Sequence, residues 1–245
     1  MKLMLVALLM LNNIFGKYQC DTYITEHGHK LEIAYISHGS LAMRYDDKTV
    51  IYIDPASEIA DYNKAPGADY VIVTHGHSDH FDMKAFNAVA KKSTQVICTK
   101  EVAEIIGTQC SKVAVLKNGE GTCNIDFCLE AVPAHNHPQN AKFHPAGRDN
   151  GYVLDFDGFK VYVAGDTEDI EELKTLKKEN IDVAFLPVNQ PYTMTVEQAV
   201  NAAKMVSPKI FIPYHYGGTD KTTDIDRLAR LLKDSGIEVR IRQLQ

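Results

Sequence analysis

Short apolar runs separated by polar turns recur along the chain from Leu31 onward. Runs of this length that are rich in β-branched and aromatic residues are typical of buried strands. They predict strands over residues 31–37, 41–45, 50–53, 70–73, 95–98, 113–116, 124–127, 129–134, 151–156, 159–164, 183–186 and 210–212. Apolar positions at helical spacing predict a helix capped by Asp82 and further helices over residues 100–106, 170–178, 196–205 and 225–233. Strands interleaved with helices in both halves predict sheets that are covered outside by helices.

The N-terminus departs from this pattern. Lys2 is followed by an unbroken apolar run over residues 3–11, which is too short to span a membrane. A positive start followed by a short hydrophobic stretch is typical of a secretory signal. We therefore expect residues 1–20 to be a signal segment, residues 21–245 to form a single domain, and the protein to be secreted or periplasmic. The alternative is that the segment belongs to the fold of a cytoplasmic protein.

Composition narrows the class of protein only a little. The chain has 26 basic and 32 acidic residues, a net charge of −6, and 45% hydrophobic residues, which is typical of a soluble globular protein. No basic block stands out, so a surface dedicated to nucleic acid is disfavoured. We expect a small-molecule substrate, no nucleic-acid partner and no stable membrane insertion.

The five cysteines contain no CxxC pair, which excludes a zinc knuckle and makes a dense disulfide framework unfavourable at this length. Cys98 and Cys128 end or lie in apolar runs, so we expect both to be buried. A single disulfide, for example between Cys110 and Cys123, remains open.

Candidate chemistry concentrates between the predicted strand 70–73 and the helix after Asp82. There, residues 75–80 follow the pattern His-x-His-x-Asp-His. Imidazole nitrogens and carboxylate oxygens are the ligands that catalytic zinc and related divalent ions take. The alternative, a polar surface loop that merely contains three histidines, has no packing or solubility rationale. The turn therefore predicts a metal site held by rigid elements on both sides.

Further candidate ligands follow other apolar strands directly. His135 follows residues 129–134, Asp166 follows residues 161–165, and His215 follows residues 210–214. Ligands at the ends of separate strands can converge on one rim of a sheet core, where binding sites commonly form. The polar loop 136–150 that follows His135 has the length of a lid or binding loop.

This ordered set, with its Ala164-Gly165-Asp166-Thr167 context, resembles the metallo-β-lactamase-fold hydrolase superfamily over nearly the whole predicted domain. Shorter motifs resemble its branch of small metal-dependent hydrolases that includes ascorbate-6-phosphate lactonase relatives. These motifs are Ile53-Asp54-Pro55, Val132-Pro133-Ala134, Phe143-His144-Pro145, Tyr192-Thr193-Met194 and Ile212-Pro213-Tyr214-His215-Tyr216. The resemblance implies an α+β fold, an αββα four-layer sandwich of two mixed β-sheets flanked by helices, with the metal site at one edge.

The resemblance also implies two divalent metal ions. The first would be held by His75, His77 and His135, the second by Asp79, His80 and His215, and Asp166 would bridge them. His137 and His144 compete with His135 for the third place on the first metal. His135 is favoured because it directly ends a strand, which would leave His144 in the loop as a substrate-binding residue.

Other polar residues take supporting places. Asp54 would hold a ligand imidazole in the right tautomer. His38 either sits near the site in the same supporting role or merely caps the end of a strand. His27 and His29 precede the first predicted strand and are expected to be exposed to solvent.

The resemblance also implies a reaction class, because members of this superfamily that hydrolyse esters, lactones or phosphodiesters carry a carboxylate where Asp166 stands, whereas those that hydrolyse β-lactams tend to carry cysteine or another residue. The sequence therefore predicts a hydrolase in which a dinuclear-metal-bound hydroxide attacks a small substrate of this kind, with Asp79 as a catalytic residue. Zinc is the first choice of metal, and manganese or iron would also suit the donor set. The alternatives are a phosphodiesterase or nuclease acting on nucleic acid, which the acidic run over residues 166–172 disfavours, and a non-catalytic metal-binding protein of the same fold.

Overall fold

Two seven-stranded sheets organise the part of the chain that this computed structural model describes, namely residues 16, 18–217 and 223–244. Most of the predicted signal segment, residues 1–15 and 17, lies outside it. The first sheet contains, in spatial order, β1 (Gln19–Ile24), β2 (Lys30–Ser37), β3 (Ser40–Tyr45), β4 (Thr49–Ile53), β5 (Ala68–Ile72), β6 (Ala90–Cys98) and β7 (Val113–Val115). The second contains, from one edge to the other, β14 (Glu238–Val239), β13 (Ile210–Tyr216), β12 (Val183–Val188), β11 (Phe159–Val163), β10 (Asp149–Phe156), β9 (Cys128–Ala134) and β8 (Gly121–Cys123).

The two sheets repeat one pairing scheme. In each, the first four strands in chain order pair antiparallel and the remaining neighbours pair parallel. Parallel neighbours need a crossover connection, and several of these connections contain a helix. The helices are α1 (Met83–Val89), α2 (Lys100–Ile106), α3 (Val196–Val206) and α4 (Ile225–Leu232), with 3-10 helices at Gly107–Gln109 and Glu171–Glu179.

Three apolar clusters define the layers. The largest lies between the sheets and includes Ile33, Ile53 and Phe185. A second covers the outer face of the first sheet with residues of α1 and α2, such as Phe86 and Val102. The third covers the outer face of the second sheet with residues of α3, α4 and the longer 3-10 helix. The layers therefore run helix, sheet, sheet, helix, which confirms the predicted αββα sandwich.

Most predicted elements are present, with shifted ends. The helix predicted over residues 170–178 is a 3-10 helix, Glu171–Glu179. The strand predicted over residues 124–127 is wrong, because the Asn124 side chain accepts hydrogen bonds from the backbone N–H groups of Asp126 and Phe127 and turns the chain. No strand was predicted at β1, β8 or β14, and β1 overlaps the predicted signal segment at Gln19 and Cys20.

The cysteine expectations need correction. Cys123 and Cys128 face each other across the β8–β9 hairpin and form a disulfide, so the pairing of Cys110 with Cys123 is wrong. Cys128 is exposed rather than buried, and Cys110 is a free thiol. Cys98 is buried, as predicted. Within the described residues, no helix combines the length and apolar character that crossing a bilayer requires.

Hydrogen bonds between the sheets fix the edge where the candidate ligands lie. Tyr152 of β10 donates to the carbonyl of Val73 at 3.0 Å, and the Asn150 N–H donates to Thr74 O at 3.1 Å. The His215 N–H donates to His38 O at 3.1 Å. Gly165 is required at this contact, because its φ is +65° and a Cβ there would lie 2.9 Å from Asn150 O. The strand ends of both sheets are thus locked together at one edge.

Candidate metal centre

The His-x-His-x-Asp-His turn connects β5 to α1. Its last residues fold back on themselves, since the N–H groups of His80 and Phe81 both donate to His77 O. Asp82 then caps α1 by accepting a hydrogen bond from the Ala85 N–H at 2.8 Å, as the sequence predicts. The turn is therefore stabilised at both ends, and its side chains project toward the sheet edge.

Asp54, at the end of β4, organises the buried side of this turn. Its carboxylate accepts hydrogen bonds from Thr74 N at 2.7 Å and Thr74 Oγ1 at 2.6 Å, and it lies 2.8 Å from His80 Nδ1. Both Asp54 and His80 are fully buried. Asp54 thus contacts a candidate ligand imidazole in the manner expected from the sequence.

Three groups of potential ligand atoms converge within the described residues. The first contains His75, His77 and His144, the second His38, Asp79 and His215, and the third His75, His80 and Asp166. In each group the ligand atoms lie within 4.8 Å of one another. His75 belongs to both the first and the third group, and Asp166 of the third group lies 3.5 Å from His215 of the second. The three groups therefore form one continuous centre.

His135 does not reach this centre, which corrects the preferred third ligand. Its Nδ1 lies 3.0 Å from Asn136 O and its Nε2 lies 3.4 Å from a carboxylate oxygen of Glu172. His137 also points elsewhere, with Nε2 3.1 Å from Asp169. The chain beyond β9 turns back, closed by the hydrogen bond from Asn136 N to His144 O at 2.9 Å, and this brings His144 inward. His144 is fully buried beside His75 and His77 rather than free to face substrate.

The exposed histidines behave as expected. His27 and His29 lie in the connection between β1 and β2, where His27 contacts Asp157 at 2.6 Å and His29 contacts Asp46 at 3.4 Å.

His38 is near the centre, with Nε2 3.2 Å from Asp79 Oδ2. The choice that the sequence left open for His38 is therefore decided in favour of the site.

Each buried candidate imidazole has a second partner on its Nδ1. That atom lies 3.0 Å from Thr74 Oγ1 in His75, 2.8 Å from Asp54 in His80, 3.1 Å from Asp149 in His144 and 2.9 Å from the Asn189 amide in His215. The oxygen partners of His75, His80 and His144 can accept the Nδ1 hydrogen, and such outer contacts fix the ring and its tautomer in metal sites. The partner of His215 is the side-chain nitrogen of Asn189. Sequence reasoning missed Asp149 and Asn189, although Asn189 follows β12 directly, the same signal that identified Asp166.

The inward-facing atoms are spaced as ligands of shared ions would be. Asp166 lies 3.3 Å from His80 Nε2, 3.3 Å from His144 Nε2 and 3.5 Å from His215 Nε2, and Asp79 lies 3.4 Å from His215 Nε2. At bond lengths of about 2.0–2.1 Å, two ligand atoms of a tetrahedral zinc ion lie roughly 3.3 Å apart. The separations that involve Asp166 and Asp79 therefore match those between two ligands of one ion.

Hydrogen bonding supports the same conclusion. Among the described residues, the buried polar atoms without a hydrogen-bond partner include His75 Nε2, His80 Nε2, His215 Nε2 and Asp166 Oδ1. A buried polar atom left unpaired costs free energy, about 1–3 kcal/mol each. The residues that carry these four atoms all belong to the ligand groups described above. Their donor set of imidazole and carboxylate is one that zinc, manganese and iron accept.

The carboxylate and imidazole groups of the centre shift one another's pKa values. Burial opposes ionisation of Asp166, but His215 and His80 hold the pKa of that carboxyl well below its usual range. Burial likewise acts against charge on His144, but its contacts with Asp149 and Asp166 raise its pKa to about 9. Burial and the neighbouring His80 lower the pKa of His75 well below its ordinary value. Asp166 is therefore an ionised carboxylate at the centre of the cluster, which favours a cation beside it.

Three residues at the candidate metal centre have an unusual backbone conformation. His38, Asp54 and His215 have φ values of 54°, 49° and 46°, in the left-handed region that residues other than glycine seldom occupy. Such strain persists where the surrounding structure over-determines it, and it clusters at functional sites. All three residues are held by the contacts between β2, β4, β13 and the motif turn.

Comparison with known proteins identifies the family. Residues 32–215 match the Beta-lactamase superfamily domain, and this segment contains all seven residues of the predicted ligand set. A UPF0173 metal-dependent hydrolase of Nanoarchaeum equitans is 35% identical over 193 residues, covering 76% of this chain and 84% of the relative. One from Thermus thermophilus is 29% identical over 214 residues, covering 85% and 94%. The chain belongs to the beta-lactamase superfamily.

Comparison with solved structures supports the same family. The crystal structure of a proposed metal-dependent hydrolase from Parabacteroides distasonis is 52% identical, covers 93% of this chain and 100% of that chain, and has a TM-score of 0.86. Igni18, a metallo hydrolase from Ignicoccus hospitalis, shares the fold with a TM-score of 0.73 at 22% identity, covering 87% and 95%. The fold is that of the metallo-β-lactamases, and the class is metal-dependent hydrolase, as the sequence predicts.

Proposed function

We propose that this chain is a dinuclear metal-dependent hydrolase of a small ester, lactone or phosphodiester, with zinc as its metal and manganese or iron as the alternatives. The observation that carries the proposal is the convergence of buried imidazole and carboxylate groups, several of whose atoms have no hydrogen-bond partner, at the edge of the sandwich. The relatives named as metal-dependent hydrolases support the reaction class.

Two sets of side chains would hold the ions. We assign the convergent group His75, His77 and His144 to one ion. We assign Asp79, His80 and His215 to the other: Asp79 and His215 converge with His38, and Asp166 contacts His80 and His215 of this set as well as His144 of the first. This assignment replaces His135 by His144. When bound, such ions activate water and polarise the substrate oxygen on which negative charge develops.

The protein's own part in the reaction is to orient the reactants at the mouth of the centre. Asp79 is the most exposed of the candidate ligands on the second set, with 37% of its side chain accessible. Its Oδ2 lies between His38 Nε2 and His215 Nε2, which fix the carboxylate. From this position Asp79 can accept a hydrogen from a water molecule and align its lone pair with a substrate carbon or phosphorus.

Charge around the centre favours a small substrate over a nucleic acid. Acidic residues follow Asp166 closely, namely Glu168, Asp169, Glu171 and Glu172, and the chain carries a net charge of −6. A polyanion would meet repulsion along this run. This supports a compact ester, lactone or phosphodiester as the substrate class.

The test is metal analysis combined with a hydrolysis screen over lactones, phosphodiesters, thioesters and β-lactams. We expect close to two transition-metal ions per chain and hydrolysis that is lost on chelation. Asp166→Asn should lose both, whereas Asp157→Asn, which changes a surface carboxylate beside His27, should lose neither. Trace metal only in protein purified without chelator, together with failure to take up added zinc, would refute the proposal.

We also propose that the protein is exported. The exposed Cys123–Cys128 disulfide supports this, because disulfides persist chiefly in oxidising compartments. N-terminal sequencing of protein from its native host should begin between about Gly16 and Asp21, the range given by the signal pattern. An intact Met1 on cytosolic protein would refute export.

A further inference from the structure

The loop that carries His144 ends in a tight turn that folds the chain back on this histidine. Residues 145–148 form the turn, with the Arg148 N–H 3.4 Å from Pro145 O and Gly147 at a φ of +81°. Asp149, the first residue of β10, consequently lies beside the His144 ring only five positions further along the chain. Its side chain is fully buried, which is unusual for a carboxylate and requires compensating partners.

Asp149 has two such partners. Its Oδ2 lies 3.1 Å from His144 Nδ1. Arg148 donates from Nε to Oδ1 at 2.7 Å and from Nη2 to Oδ2 at 2.8 Å. The same Nη2 donates to Phe143 O at 2.9 Å, so one guanidinium connects the carboxylate with the backbone directly before His144. A paired guanidinium and carboxylate of this kind has a well-defined geometry.

The other side of the ring faces the metal centre. His144 Nε2 lies 3.3 Å from Asp166 Oδ2, and the ring is in contact with those of His75 and His77. A carboxylate accepts hydrogen bonds and cannot donate them when ionised. In the neutral ring that a metal requires, the Nδ1 atom beside Asp149 therefore carries the hydrogen, and Nε2, beside Asp166, presents its lone pair to the metal.

We propose that Asp149, held by Arg148, is the positioning residue of His144: its carboxylate fixes the ring orientation and the tautomer in which Nε2 binds metal. The inference rests on the proposed function in that His144 is taken as a metal ligand.

Asp149→Asn tests the role with little change in shape. An amide can turn its NH₂ group toward Nδ1 and favour the opposite tautomer, so zinc affinity measured by chelator competition should fall about 10- to 100-fold. Asp157→Asn is the matched control, because it alters a carboxylate–imidazole contact of 2.6 Å to His27, which is 71% exposed and remote from the centre. Zinc affinity of the control should equal that of the wild type.

A spectroscopic signature separates positioning from a purely structural ion pair. In zinc-loaded wild-type protein with ¹⁵N-labelled histidine, His144 should show a downfield Nδ1–H proton that exchanges slowly with water. In zinc-loaded Asp149→Asn, metal on Nε2 keeps the hydrogen on Nδ1. This proton should move upfield, because an amide oxygen is a weaker acceptor than a carboxylate and an amide NH₂ group does not accept at all.

The outcomes distinguish the two proposals. If zinc perturbs His144 in the wild type but Asp149→Asn keeps wild-type affinity and an unchanged Nδ1–H signal, the positioning role is wrong and the metal site stands. If the wild type binds zinc without perturbing His144, or shows no protected Nδ1–H there, the positioning role is also wrong, whether or not the variant folds. If the wild type binds no zinc, the proposed function fails and the positioning role fails with it.

Discussion

Asp54→Asn is the substitution whose effect the structure predicts in most detail. The wild-type carboxylate accepts from Thr74 N at 2.7 Å and Thr74 Oγ1 at 2.6 Å and contacts His80 Nδ1 at 2.8 Å. Asparagine keeps one acceptor and replaces the other oxygen by an NH₂ donor. With the remaining oxygen facing Thr74 N, the NH₂ group faces the Thr74 hydroxyl, which can rotate to accept, and His80 Nδ1.

That change works against metal binding by His80. Its Nδ1 must now accept a hydrogen bond, so the ring hydrogen moves to Nε2, the atom that lies 3.3 Å from Asp166 and faces the centre. Binding a metal requires the opposite tautomer and the loss of the Nδ1 contact. A hydrogen bond to a charged group contributes about 1.5–3 kcal/mol. At roughly 1.4 kcal/mol per tenfold, this predicts an affinity loss of about 10- to 100-fold for the second metal ion.

The assay is zinc titration against a chromophoric chelator, with thermal unfolding of the metal-free protein measured in parallel. Asp69→Asn provides the control. Asp69 lies on β5, the strand that pairs with β4 and leads into the motif turn. It accepts hydrogen bonds from Val50 N at 3.0 Å and Lys91 Nζ at 2.6 Å, with no histidine among these partners. We expect it to lower stability modestly and to leave both zinc affinities unchanged. If Asp54→Asn binds two zinc ions as tightly as the wild type, the tautomer argument is refuted.

Three further predictions follow from the geometry. His144→Gln should lose about one metal ion per chain by elemental analysis while His135→Gln keeps both, and the reverse pattern would return His135 to the first site. Asp79→Asn should lower kcat at least ~100-fold with a smaller effect on KM in steady-state kinetics, and a wild-type kcat would mean that Asp79 only supports the fold. Chelation should lower Tm by about 5–10 °C, since one ion at 100 times its Kd contributes about 2.7 kcal/mol to a domain of this size, and an unchanged Tm would contradict a buried metal centre.

Local signals in the sequence predicted most of the elements. Asp82 begins α1 and accepts the capping hydrogen bond from Ala85, because a side-chain oxygen next to the first free N–H groups of a helix acts over a few residues only. The apolar run before His75 forms β5 for a similarly local reason, because it is a short β-branched stretch bounded by polar residues. The strand predicted over residues 124–127 failed because the Asn124 side chain competes with strand pairing for the backbone N–H groups.

The sequence by itself predicted where the candidate ligands would lie, because they stand in the motif turn and directly after strands. Spacing within residues 75–80 fixes the chemistry, and parallel strand ends meet at one edge. Asp166 and His215 were found in this way, and Asp54 was expected beside an imidazole. The fold followed from the same pattern, because two sets of strands with helical crossovers have few ways to bury their apolar faces.

Only the tertiary structure decided which histidine completes the first group. His135 ends β9 and is nearer to the expected strand-end position, but the chain turns back and buries His144 against Asp149 and Asp166 instead. That choice depends on contacts between β10, β11 and the loop, which no local pattern encodes. The Cys123–Cys128 pairing was settled likewise by the register of β8 and β9. Sequence identifies groups able to bind metal, whereas the packing of both sheets determines which of their atoms meet.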